Sequence, residues 1–164
     1  MTMATTVERS VGERTYELVP HPYSHSTNEA AQLAHVSGKH IAKGVVLEDE
    51  DGYLMVVIPA THHVELNHLR AMLQRDVGLA TEPELERLFP DCARGAVPAL
   101  GPAYGLETLL DEALLEASEV LFEAGDHESL VRMSTHQFME LLGPVQQGVF
   151  SHRLDPNVHH RPRH

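Results

Sequence analysis

A chain of 164 residues with 24 acidic against 12 basic side chains carries a formal net charge of −12. Its 42% hydrophobic content supports one domain with a buried core, and no apolar run approaches the ~18 residues of a membrane span. So acidic a surface argues against tight autonomous binding of DNA or RNA, while leaving room for brief contact with an RNA end.

The start, Met1–Glu8, has no basic region followed by an apolar stretch, so no secretory signal is expected. A single cysteine, Cys92, excludes an intramolecular disulfide, and a cytoplasmic location is the simplest expectation. Three segments are predicted: an N-terminal extension over 1–14, a domain over 15–143 and a flexible tail over 144–164.

In chain order, Tyr16–Val19 reads as a strand closed by Pro20 and Pro22. Ser26 and Glu29 have capping-box spacing and open a short helix over about Glu29–His35. Lys43–Leu47 and Tyr53–Ile58 read as strands around an acidic turn, where Asp51-Gly52 signals a hairpin. That turn lacks the spaced oxygen ligands of a calcium loop. Val64–Leu73 places Leu66, Leu69, Met72 and Leu73 at helical spacing. Thr81 and Glu84 form a second capping box, with Pro83 in the first helical turn.

The stretch Pro90–Gly105 carries Pro90, Pro98, Pro102, Gly95, Gly101 and Gly105 and reads as a stiff, irregular connector. Leu106–Ala117 reads as helix on propensity. Glu119–Ala124 and Leu130–Met133 read as strands about a Gly125-Asp126 turn, and Ser134–Gln137 caps a last helix ending near Leu142. Hairpins interspersed with short helices give an α+β domain.

Histidine is abundant, with 13 residues, yet neither His62-His63 with His68 nor His21 with His25 shows a zinc-ligand pattern. No metal or other cofactor is expected. No Gly-x-Ser-x-Gly elbow is present, and Asp91 beside Cys92 raises a thiol pKa, the wrong direction for a nucleophile. The Gly95–Gly101 loop does not end in Gly-Lys-Ser/Thr, so it is no phosphate loop. Two features remain. Lys43, one of only two lysines, heads an apolar strand, and the Gly95–Pro102 loop could turn its amides toward a ligand. Taken singly, each also reads as structure: an edge lysine that deters aggregation and a connector.

Taken in order, these residues carry a resemblance. Ala42-Lys43, Val57–Ala60, His63–Leu66, Leu79–Glu82, Phe89–Cys92, Gly95–Pro98, Leu110-Asp111 and Phe122–His127 follow one another as in the YbaK/prolyl-tRNA synthetase-associated domain family of aminoacyl-tRNA deacylases. The resemblance runs from about Tyr16 to Leu142. It implies a mixed, largely antiparallel, partly closed sheet with flanking helices, and strand rather than helix at Leu110-Asp111. It also implies hydrolysis of the ester joining a wrong, small amino acid to tRNA, by a protein acting in trans.

By the same resemblance, Lys43 and Gly95 match the catalytic positions, the lysine meeting the terminal nucleotide and the glycine opening a backbone-lined reaction centre. Pro98, Ala99, Gly101 and His127 match substrate-binding positions, with His127 toward the substrate amino group. The implied partners are the aminoacyl-tRNA 3′ end and a synthetase or other tRNA-binding protein. Ala99 and Leu100 depart from the family's proline and phenylalanine, which bears on which amide or carbonyl faces the ester. The other reading is a non-catalytic module that holds an aminoacyl-like small molecule or a protein partner in the same pocket.

Overall fold

The computed structural model describes residues 3–153. Five α-helices lie at Thr5–Val11 (α1), Thr27–Leu33 (α2), Leu66–Leu73 (α3), Glu82–Leu88 (α4) and Thr135–Leu142 (α5). Ten strands lie at Glu17–Pro20 (β1), Ala42–Asp49 (β2), Gly52–Pro59 (β3), His62–Val64 (β4), Gly78–Leu79 (β5), Glu107–Asp111 (β6), Glu119–Glu123 (β7), Ser129–Ser134 (β8), Gln146–Gly148 (β9) and Ser151–Arg153 (β10). The α+β class is thus observed.

The β2–β3 hairpin forms where expected, in unbroken antiparallel register from Ala42↔Pro59 to Asp49↔Gly52. Asp49 Oδ1 accepts the amides of Asp51 and Gly52 at 2.8 and 2.9 Å, which closes the turn. Gly52 takes φ +146°, a region open to glycine. The hairpin centres a five-stranded sheet of order β5-β2-β3-β6-β9, in which β6 and β9 run parallel to their neighbours. A second sheet, β1-β8-β7, is antiparallel throughout. One parallel bridge, Ile41↔Leu121, joins the two. A third, two-stranded sheet pairs β10 with β4. The sheet is not closed, contrary to the partly closed sheet implied by resemblance: each of the three sheets ends in its own edge strands.

Alternation along β2 divides the core. Ala42 and Val46 pack with Met55, Val57, Ala99, Phe122 and Val131 between the two sheets. Val45 and Leu47 face the other way, onto Leu69, Met72 and Leu73 of α3. Ile41, Leu121 and Leu130 pack on Ala30 and Ala31 of α2. The Thr81–Glu84 capping box is complete, and Ser26 and Ser134 each accept an N3 amide at their helix starts. Glu107–Asp111 is strand, as resemblance implied, and a 3-10 turn over Glu112–Glu116 takes up the remaining helical propensity.

Both ends of the chain differ from expectation. The 1–14 extension contains α1, whose Val7 and Val11 are fully buried and whose Thr6 amide donates to Asp91 Oδ2 at 2.8 Å. The expected flexible tail begins too early. Gln146–Gly148 pairs with β6, Ser151–Arg153 pairs with β4, and Phe150 between them is 1% exposed. Burying one such ring contributes about 2 kcal/mol, enough to hold a short segment that sequence composition alone makes polar. The remainder of that tail, 154–164, lies outside the described residues. Among the described residues, no helix is long and apolar enough to cross a membrane.

Candidate active site

Lys43 is half-buried at the start of β2, and burial pushes its ammonium pKa down. Its Nζ donates to the His62 carbonyl at 3.1 Å. That carbonyl is held in turn: His62 Nδ1 donates to Ser151 Oγ at 2.9 Å, and Ser151 Oγ donates to Asp111 Oδ2 at 2.7 Å. Asp111, 1% exposed, also accepts the amides of Ala113 and Phe150 at 2.9 and 3.1 Å. The C-terminal strand therefore positions the backbone on which Lys43 rests. Burial also lowers the His62 pKa, which favours the neutral ring that donates here.

The glycine loop lies on the other side of β2. A Cβ on Gly44 would meet Ala99 Cα at 3.4 Å and Met55 Sδ at 2.9 Å, so glycine there lets the loop backbone rest on the strand. Alternation sends the Lys43 side chain to the face opposite Ala99. Within the loop, Pro98, Ala99, Leu100 and Gly101 are buried. A Cβ on Gly101 would lie 2.1 Å from Thr108 Oγ1. These residues brace the loop from beneath. Gly95, by contrast, is exposed and left-handed at φ +82°.

Gly95 faces His127, whose Nε2 lies 3.6 Å from a Cβ built on the glycine. That ring is 2% exposed and donates from Nε2 to the Arg94 carbonyl, which leaves Nδ1 as acceptor in the neutral ring. His127 takes φ +62° at the β7–β8 turn, a conformation uncommon for a side-chain-bearing residue. The Tyr23 ring, half exposed, meets the His127 ring edge-on at 5.3 Å between centroids. Gly95 also borders an open cleft of about 230 Å³ between α4 and the 90–97 loop. Its rim carries Glu82 and Glu86, both reached by the Arg94 guanidinium at 3.9 and 3.3 Å.

The sequence matches the aminoacyl-tRNA editing domain over residues 21–141. The chain belongs to this family. Among solved structures, a proposed trans-editing enzyme for prolyl tRNA synthetase matches with a TM-score of 0.77 and 23% identity, covering 92% of this chain and 99% of that one. The hypothetical protein APE2540 matches with a TM-score of 0.76 and 26% identity over 90% of this chain and 99% of that one. An epitope-presenting scaffold made by computational backbone grafting has a TM-score of 0.77 and 22% identity, over 91% of this chain and 96% of that one. No curated protein matches the sequence.

In this editing domain the structure joins Gly95 to His127 and Ala99 to β2, and sets Lys43 on the carbonyl of His62. Sequence reasoning missed Tyr23 and the Asp111–Ser151–His62 network, whose partners lie 39 to 104 residues away in the chain, where nothing in local periodicity marks the contact. It also missed Glu123, which is 2% exposed. Burial pushes the Cys92 thiol up to about 12, and the Asp91 charge adds to the rise in the expected direction.

Proposed function

We propose that the protein is a trans-acting deacylase that hydrolyses the ester between a small amino acid and a mischarged tRNA. The observation carrying this reading is the exposed, left-handed Gly95 beside His127 in an editing domain. Such a backbone turn can aim amides at the oxyanion that develops on the ester carbonyl, an effect worth several kcal/mol when preorganised. Water attacks the carbonyl carbon, the bond to the ribose oxygen breaks, and the proton passes to that oxygen. Neither step calls for a side-chain nucleophile.

Lys43 supplies the positive charge for a phosphate of the terminal nucleotide, contributing position rather than sequence reading. His127 orients the aminoacyl group, while Pro98, Ala99 and Gly101 shape the pocket by holding the loop. Small amino acids differ by a methylene or so, worth only ~1–3 kcal/mol in one binding step. Hydrolysis at a second site offers the discrimination that binding cannot. A cytoplasmic role in translation fidelity follows from that substrate.

The net charge of −12 favours a second reading, a non-catalytic module for an aminoacyl-like molecule or a protein partner. A synthetase or other tRNA-binding partner would also reconcile that charge with editing. Deacylation of alanyl-, cysteinyl-, seryl- and prolyl-tRNA by wild type and Lys43→Ala decides between them. Release above the buffer rate from one substrate, lost in the variant, supports the deacylase. No release from any of the four by wild type sinks it.

A further inference from the structure

The β7–β8 turn gathers buried polar atoms that the protein leaves without partners. Glu123 ends β7 at 2% exposure, and neither carboxylate oxygen meets a hydrogen-bond partner among the described residues. His127 Nδ1 is equally buried and unpartnered. So is Nε2 of His21, whose Nδ1 donates to the Pro22 carbonyl at 2.7 Å and whose amide donates to Glu128 O. With those donor roles fixed, both neutral rings present only acceptors at the free nitrogens. Four buried polar atoms without partners thus gather at one turn. A buried polar group left unmet costs about 1–3 kcal/mol, so such a cluster in one place calls for a ligand rich in N–H donors.

The position relates this cluster to the ester site. The Ile41↔Leu121 bridge is parallel, and two residues further along both chains come Lys43 and Glu123. By alternation both side chains leave on the same face. His127, four residues after Glu123, faces Gly95. Lys43 does not offset the carboxyl: only burial and the Asp126 charge act on Glu123, and the ammonium donates to the His62 carbonyl. Nor is a metal ion suited to the cluster: among the described residues, no three of His, Cys, Asp or Glu converge as ligands.

We propose that Glu123, with the free Nδ1 of His127, receives the α-ammonium of the aminoacyl ester and so selects substrates with an unblocked amino group. This rests on the deacylase reading and adds to it the residue that reads the amino end. Burial, and then the nearby Asp126 charge, push the Glu123 carboxyl up to about 8. In the free protein it is therefore mostly protonated at pH 7, and docking an ammonium ionises it and expels that proton. Asp126 on the turn raises the Glu123 pKa further, and Cys92 on the loop feels the Glu123 charge. The thiol stays uncharged, its pKa raised to about 12.

Calorimetric binding of two non-hydrolysable probes tests this: the 5′-monophosphates of 3′-alanylamino-3′-deoxyadenosine and of its 3′-propionylamino analogue, which lacks only the amine. Wild type should bind the amine at least about 10-fold more tightly, and Glu123→Gln should bind both alike at the propionyl level. Equal binding by wild type, or an amine preference kept by Glu123→Gln, overturns the inference and leaves the deacylase reading intact. Binding of neither probe removes both. Should Glu123→Gln fail to fold, wild type in buffers of different ionisation enthalpy still decides. Proton release with the amine probe alone supports Glu123, and release with neither contradicts it.

Discussion

Two buried polar regions of this domain handle the same cost in opposite ways. In the C-terminal belt, Asp111 accepts from Ala113, Phe150 and Ser151, and His62 completes the chain to Lys43. At the β7–β8 turn, Glu123, His127 and His21 are buried too, yet keep four polar atoms unmet. The belt is a finished structure whose polar groups satisfy one another. The turn is complete only with something else in it. Satisfied networks position a residue, whereas unsatisfied ones mark where a ligand supplies the missing donors.

The contrast breaks most readily in the belt. Asp111→Ala strands three donors and should cost about 3 kcal/mol in urea unfolding, with faster hydrogen exchange over 146–153. A loss under 1 kcal/mol would show that the belt is not what holds the C-terminal strand. Lys43→Ala leaves the fold in place and should lower kcat/KM for deacylation by about 100-fold, the scale of one charge-assisted contact. An unchanged kcat/KM removes the lysine from the site.

Gly95 faces His127 of the turn, and any side chain there is strained at φ +82°. Gly95→Ala should cost about 1–2 kcal/mol in thermal unfolding and reduce activity with it. A fully active variant would mean the loop relaxes without consequence.

The smallest effect concerns pH and belongs to the turn. The folded value of Glu123 lies near 8, above the ordinary 4.5, so the folded chain keeps a proton that the unfolded chain loses between those values. Stability tied to this carboxyl is full below 4.5 and is lost as pH rises through 8. Glu123→Gln should therefore raise Tm relative to wild type by at least about 4 °C at pH 9, and by less at pH 5. A gap that does not change with pH would show that the carboxyl is paired after all.

Most of the fold was legible in the sequence because its signals are local. The Thr81–Glu84 box, the Asp51-Gly52 turn and the 3.6-residue spacing of Leu66, Leu69, Met72 and Leu73 each specify their own element. Leu106–Ala117 was not legible by propensity, since pairing with β3 and β9 overrides it at Glu107–Asp111. The tail was misjudged for a similar reason. A polar stretch with one phenylalanine looks unanchored until Phe150 and the Asp111 carboxylate are seen to hold it. Of the proposed site, Gly95 and Lys43 could be singled out by residue type and order. Glu123 could not, because a glutamate among alternating strand residues reads as exposed, and only the three-dimensional packing buries it.

The most direct test of the whole account compares two substrates with one ester bond: alanyl-tRNA and N-acetylalanyl-tRNA. The account predicts that wild type cleaves the free-amine substrate at least about 10-fold faster in kcat/KM, with Glu123→Gln levelling the two. Equal cleavage of both by wild type, or release of neither above the buffer rate, would contradict it.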